Sequence, residues 1–116
     1  LDVDDLDAEA AKAAAPAAIS STCTVFAESE VISQMANGVR RPDLVAGICR
    51  SVASRVAALA RRAGVTEQVC LSGGVARNDA VRQALSDELS VPVSVDPLAQ
   101  YFGAIGAALW AYKQTT

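Results

Sequence analysis

Gln68-Val69-Cys70-Leu71-Ser72-Gly73-Gly74-Val75-Ala76-Arg77-Asn78 is the stretch whose reading decides the fold. Residues 68–72 form a short apolar run of strand character that passes straight into two glycines. Val81, Leu85 and Leu89 then recur every four residues, the spacing of a helix with one packed face. A strand, a glycine turn and a helix in succession make an α/β unit spanning about 68–89. Two residues without a Cβ let a ligand approach the main chain, and the amides that open the next helix carry partial positive charge. A nucleotide is a natural occupant, while a plain tight turn explains a glycine pair after a strand equally simply.

Working outward, Val91–Val95 reads as a second short strand, with Pro92 placing it at an edge or an end. Asp96-Pro97 is a turn, and an apolar helix follows from Phe102 to Tyr112. Gly103 and Gly106 lie one turn apart on that helix, where small residues are expected to pack closely on the strand layer and shape a pocket wall. On the other side, Leu44, Ile48, Val52, Val56, Leu59 and Ala63 recur at spacings of three and four. They mark an amphipathic helix opened by Pro42-Asp43 and closed by Gly64. Before it, Glu28–Ala36 has helical content and stops at Asn37-Gly38, while Ile19–Ala27 reads as strand-like or extended. A first short helix is expected within residues 4–15, with Pro16 closing the run. The pattern predicts one α/β domain over 1–116, with helices on a small sheet.

Ten basic against thirteen acidic residues give a net charge of −3, with no basic block to neutralise a run of phosphates, which argues against nucleic acid. No apolar run reaches the roughly 20 residues of a membrane span, and the acidic opening is the reverse of a signal peptide, so a cytoplasmic protein with no membrane contact is expected. The polar start without Met reads as a fragment of a longer chain. The chain has no His, and no Ser or Cys accompanied by an obvious base, so no catalytic residue is assigned. Glu28 and Glu30 read as surface carboxylates that complement a helix dipole. Cys23 sits in Ser20-Ser21-Thr22-Cys23-Thr24 ahead of a helical segment, where amides and hydroxyls could stabilise a thiolate that ligates a metal or cluster, or where it is a small buried hydrophobe. Cys49 and Cys70 have apolar neighbours and are expected to be inert core positions.

The segment Ser20-Ser21-Thr22-Cys23-Thr24-Val25-Phe26-Ala27-Glu28-Ser29-Glu30-Val31-Ile32-Ser33 resembles the cluster-ligand segment, about 19–37 here, of the ATP-dependent activators of 2-hydroxyacyl-CoA dehydratases and benzoyl-CoA reductases. Gly47–Arg55, Ser72–Asn78 and Tyr101–Leu109 follow in that family's order, so the resemblance covers nearly the whole chain. It implies the carboxyl-terminal portion of a ribonuclease-H-like lobe in the acetate kinase, sugar kinase, Hsp70 and actin superfamily. It further implies ATP or ADP with magnesium, and a four-iron four-sulfur cluster bridging a homodimer, with Cys23 as one ligand. Gly73 and Gly74, followed by Val75 and Asn78, would face the adenosine, and Arg50 or Ser51 would border the base. The implied partners are an acyl-CoA dehydratase or reductase component and a low-potential donor such as ferredoxin or flavodoxin. By the same resemblance, the phosphate loop, a second acidic motif and another ligand cysteine would precede Leu1, leaving this stretch alone inactive. A sugar-kinase-like phosphotransferase lobe would share the glycine turn, and a noncatalytic packing or dimerisation module would use every glycine for packing alone.

Overall fold

In the computed structural model, which describes residues 2–19 and 24–115, helices dominate and the sheet is minimal. A 3-10 turn at Val3–Asp5 leads into helix α1 (Leu6–Ala10), and helix α2 (Thr24–Ala36) is followed by the long helix α3 (Arg41–Ala63). Strand β1 (Val69–Cys70), a 3-10 turn (Gly74–Arg77) and helix α4 (Asp79–Leu89) come next. Strand β2 (Val93–Ser94), a further 3-10 turn (Ala99–Tyr101) and helix α5 (Phe102–Thr115) complete the order.

The strands pair in parallel, with Val69 opposite Val93 and Cys70 opposite Ser94. The expected unit therefore forms as β1, glycine turn, α4 and β2, the crossover that parallel pairing requires. One face of the strand pair is covered by α3 and α4, where Ala53, Ala57, Leu85 and Val93 pack with Val69 and Leu71. A second cluster joins Val45, Cys49 and Val81 with Leu6 and Ala10 of α1. At the far end of the helix pair, the Arg61 guanidinium donates to the Glu88 carbonyl and lies 3.9 Å from its carboxylate.

The bounds of α3 follow from Pro42 in its first turn and from Gly64, whose φ of +93° ends the helix. Its packed face differs from the apolar stripe of the sequence pattern. Leu44, Val45, Cys49, Ala53 and Ala57 are buried, whereas Ile48, Val52, Val56 and Leu59 stand exposed. The cause is steric, since α4 and the strands approach α3 along small residues that let backbones come close.

Four further expectations are corrected. The first helix ends at Ala10, well before Pro16, because Ala14 and Ala15 turn their amides onto the Asp43 carboxylate at 2.9 and 3.1 Å. Thr24–Ala27 is helical rather than extended, so the local β preference of Thr24 and Val25 yields to the helix they open. Cys70 is exposed, on the strand face that α3 and α4 do not cover. Among the described elements, α5 contacts no strand and packs on the turn before it, and an added Cβ at Gly103 or Gly106 would meet nothing within 4 Å. Among the described residues, no helix is long and apolar enough to cross a membrane.

Candidate functional site: the glycine turn at the carboxyl end of β1

The turn is built by its backbone. Gly73 has φ +97° and ψ −178°, a region essentially closed to residues with a side chain. Its amide donates to the Ala99 carbonyl at 2.9 Å, tying the turn after β1 to the turn after β2. The Ala76 amide donates to the Gly73 carbonyl at 3.1 Å, closing the 3-10 turn. A Cβ built on Gly73 or Gly74 would find open space to 4 Å, so the main chain here is a bare surface. It lies at the carboxyl end of a parallel strand and ahead of a helix amino terminus, where open α/β sheets receive ligands.

Among the other residues singled out from the sequence, Val75 is exposed beside the glycines. Asn78 is half-buried, and its Oδ1 accepts from the Val81 amide at 3.1 Å, so it caps α4 and fixes the direction in which that helix leaves the turn. Arg50 is exposed on α3 and lines a groove of about 430 Å³ with Cys49, Asp79, Arg82, Gln83 and Asp87. The groove lies between α1, α3 and α4, and of the residues at the start of α4 it includes Asp79 but none of the glycine turn. The half-buried Ser51 turns its hydroxyl back to accept from Arg55 Nη2 at 3.3 Å. The structure thus gathers Gly73, Gly74, Val75 and Asn78 on one turn, while Arg50 and Ser51 lie on α3 and line no pocket with that turn. Cys23 lies outside the described residues, immediately before the first residue of α2.

A second hollow of about 430 Å³ lies beside the end of β2, lined by Asp79, Arg82, Ser94, Asp96 and Pro97. Asp96 is structural there: its Oδ1 accepts from the Leu98 amide at 2.8 Å and its carbonyl accepts from Ala99 at 2.9 Å, which presents the Ala99 carbonyl to Gly73. The sequence signal for this was the Asp-Pro turn itself. Arg77, at the end of the 3-10 turn, is exposed, and its guanidinium makes no hydrogen bond or ion pair among the described residues. Its place three residues after Gly74 offers a cation to an anionic ligand, a role visible in the motif and not assigned from it. Burial, with the negative charge of Asp7 nearby as the lesser cause, pushes the Cys49 thiol up. It stays protonated and serves as core, as its apolar neighbours indicated.

Residues 1–111 match the BadF/BadG/BcrA/BcrD ATPase family. The chain belongs to this family. It is 57% identical over 112 residues to the (R)-2-hydroxyglutaryl-CoA dehydratase activating ATPase of Acidaminococcus fermentans, covering 97% of this chain and 43% of that protein. The solved structure of the activator of 2-hydroxyisocaproyl-CoA dehydratase from Clostridium difficile, with bound ADPNP, superimposes with a TM-score of 0.91 at 44% identity. That likeness covers 98% of this chain and 42% of the other. The activator of lactoyl-CoA dehydratase from Anaerotignum propionicum is 54% identical over 97 residues, covering 84% of this chain and 38% of that protein. This member of the family therefore spans about two fifths of the length of its curated relatives.

Proposed function

We infer that this chain forms the adenosine-binding side of an ATP-hydrolysing activator that drives low-potential one-electron transfer to a 2-hydroxyacyl-CoA dehydratase, or within a benzoyl-CoA reductase. The observation that carries the reading is the bare main chain at Gly73-Gly74, at the carboxyl end of β1, in a chain 44% identical to an activator with bound ADPNP. In this reading the adenosine lies flat on the two glycines, with Val75 as an apolar neighbour and Arg50 or Ser51 towards the base. Asn78 acts through the cap it gives α4, which holds that helix's amino terminus beside the turn. ATP enters with magnesium. Hydrolysis itself would draw on groups beyond these, since nothing on the turn is a general base.

The electron carrier in this reading is a four-iron four-sulfur cluster bridging two copies of the protein, with Cys23 as a ligand from each. A helix that begins directly after the ligand suits this, because its amino-terminal amides favour the thiolate and the negative charge of a cluster. When bound, the cluster supplies one-electron redox chemistry. A ferredoxin or flavodoxin is the proposed donor, and the dehydratase or reductase component the acceptor.

Two measurements on the full-length protein test this. Gly74→Val inserts a side chain into open space without requiring a positive φ, so it should leave the folded state intact by circular dichroism and weaken ATP binding at least about tenfold, about 1.4 kcal/mol. Unchanged affinity would remove the adenosine assignment. Anaerobic iron and labile-sulfide analysis of wild type beside Cys23→Ala should show cluster loss confined to the variant, and an intact bridging cluster in Cys23→Ala would overturn the ligand assignment.

A further inference from the structure

Between α1 and α2 the chain crosses the amino end of α3 as a strap, fastened from both sides. The Asp43 carboxylate accepts from the amides of Ala14 and Ala15 at 2.9 and 3.1 Å. The Asp43 carbonyl accepts from the Ala17 amide at 2.9 Å, so a single residue holds the strap by side chain and main chain together. An acid in a first helical turn ordinarily complements its own helix, but this carboxylate is spent on the strap. Gly47, one turn further along α3, lets the Ala17 main chain lie directly on the helix, where a Cβ would overlap its carbonyl oxygen. From the other side, the Gln34 side-chain amide, on α2, donates to the Ala18 carbonyl at 2.9 Å.

The strap is therefore a tie between two helices, since Asp43 and Gly47 hold it on α3 while Gln34 holds it on α2. Such a tie has consequences for α2, which meets no described element besides α3 and contributes to neither core cluster. Cys23 immediately precedes α2. The chain that carries it enters from Ala18, a residue fastened to α2, and leaves into α2 itself. Groups that orient a ligand from outside its coordination sphere govern how well the site keeps its metal.

We propose that Asp43 and Gln34 are positioning residues for the cluster-ligand segment, fixing the approach of the chain to Cys23 and the placement of α2 on α3. Each acts through the main chain of the strap rather than on the cluster. The inference rests on the reading of Cys23 as a ligand.

The test uses the full-length protein, reconstituted anaerobically, and reads the rate at which an iron chelator strips the cluster. The electron paramagnetic resonance spectrum of the reduced cluster is the second readout. Asp43→Leu removes the carboxylate acceptor and should release iron about tenfold faster, with a shifted spectrum. Asp43→Asn keeps an oxygen that can accept from the same amides, and should restore most of the wild-type rate and the wild-type spectrum. Gln34→Met removes the donor at similar length, leaves both core clusters untouched, and should also accelerate release. Ser86→Ala loses the hydrogen bond to the Val91 carbonyl at the far end of α4, reports general destabilisation, and should match wild type. Wild-type release from both Asp43→Leu and Gln34→Met would overturn the proposal, as would equal acceleration in Ser86→Ala. Cluster loss in Cys23→Ala alongside wild-type release from those two variants removes this inference alone, whereas a cluster that persists in Cys23→Ala removes both it and the ligand assignment.

Discussion

Glu9 is nearly buried, with Arg41 Nε at 2.9 Å and Lys12 Nζ at 3.2 Å, and it joins α1 to the start of α3. The hydrogen bond from Arg41 is the main cause that holds its carboxyl below the usual range, and burial opposes it less strongly. A carboxyl depressed in the folded state adds stability above its unfolded pKa, about 4.3, and that contribution is lost as pH falls through the lower folded value. Stability measured from pH 7 to pH 3 should therefore decline less steeply below about pH 4.3 in Glu9→Gln than in wild type. Gly47 is a second such position: buried in α3, it passes beneath the main chain at Ala17, and a Cβ there would overlap the Ala17 carbonyl oxygen and lie 3.1 Å from its carbon. The obstruction is backbone, not a flexible side chain, so Gly47→Ala should destabilise by about 1–3 kcal/mol in chemical denaturation. Asn78→Ala removes the cap of α4 and should lower stability by about 1 kcal/mol, with Asn78→Ser recovering most of it.

At the scale of elements, the α3–α4 seam is close because Ala53 and Ala57 are fully buried against Leu85. Ala57→Leu should overfill it and lower the denaturation midpoint, at about 1–3 kcal/mol, whereas Val56→Leu on the bare stripe should change little in the 116-residue chain. This contrast marks how far the sequence could be read. The extent of α3 was legible, since Pro42 and Gly64 act locally on the backbone. Which side of it would be buried was not, because large residues dominate a periodicity while close approach selects small ones. The strand, glycine turn and helix were legible for the same local reason: φ at Gly73 and the cap at Asn78 are decided within a few residues. The early end of α1 was hidden in Asp43, which captures two amides from 28 and 29 residues away, a separation no local pattern encodes. Val75 and Asn78 were placed on the turn by adjacency alone, whereas the groove that Arg50 and Asp79 both line depends on how α1, α3 and α4 come together.

For the whole molecule, the chain is an unevenly packed body with principal extents of 61 × 29 × 25 Å: a seam of α1, α3, α4 and two strand fragments, with α2 and α5 more loosely attached. Among the described elements, α5 contacts the turn Ala99–Tyr101 alone, and that turn is bound through the Ala99 carbonyl to the amide of Gly73. Mechanically, α5 is a rod pivoted at the glycine turn. Fourteen residues at 1.5 Å each give a rod of about 21 Å, so a tilt of about 5° at the pivot sweeps its far end through nearly 2 Å. A tilt of the Ala99–Tyr101 turn, which the Gly73 amide holds, would be carried along α5 to a point about two nanometres away.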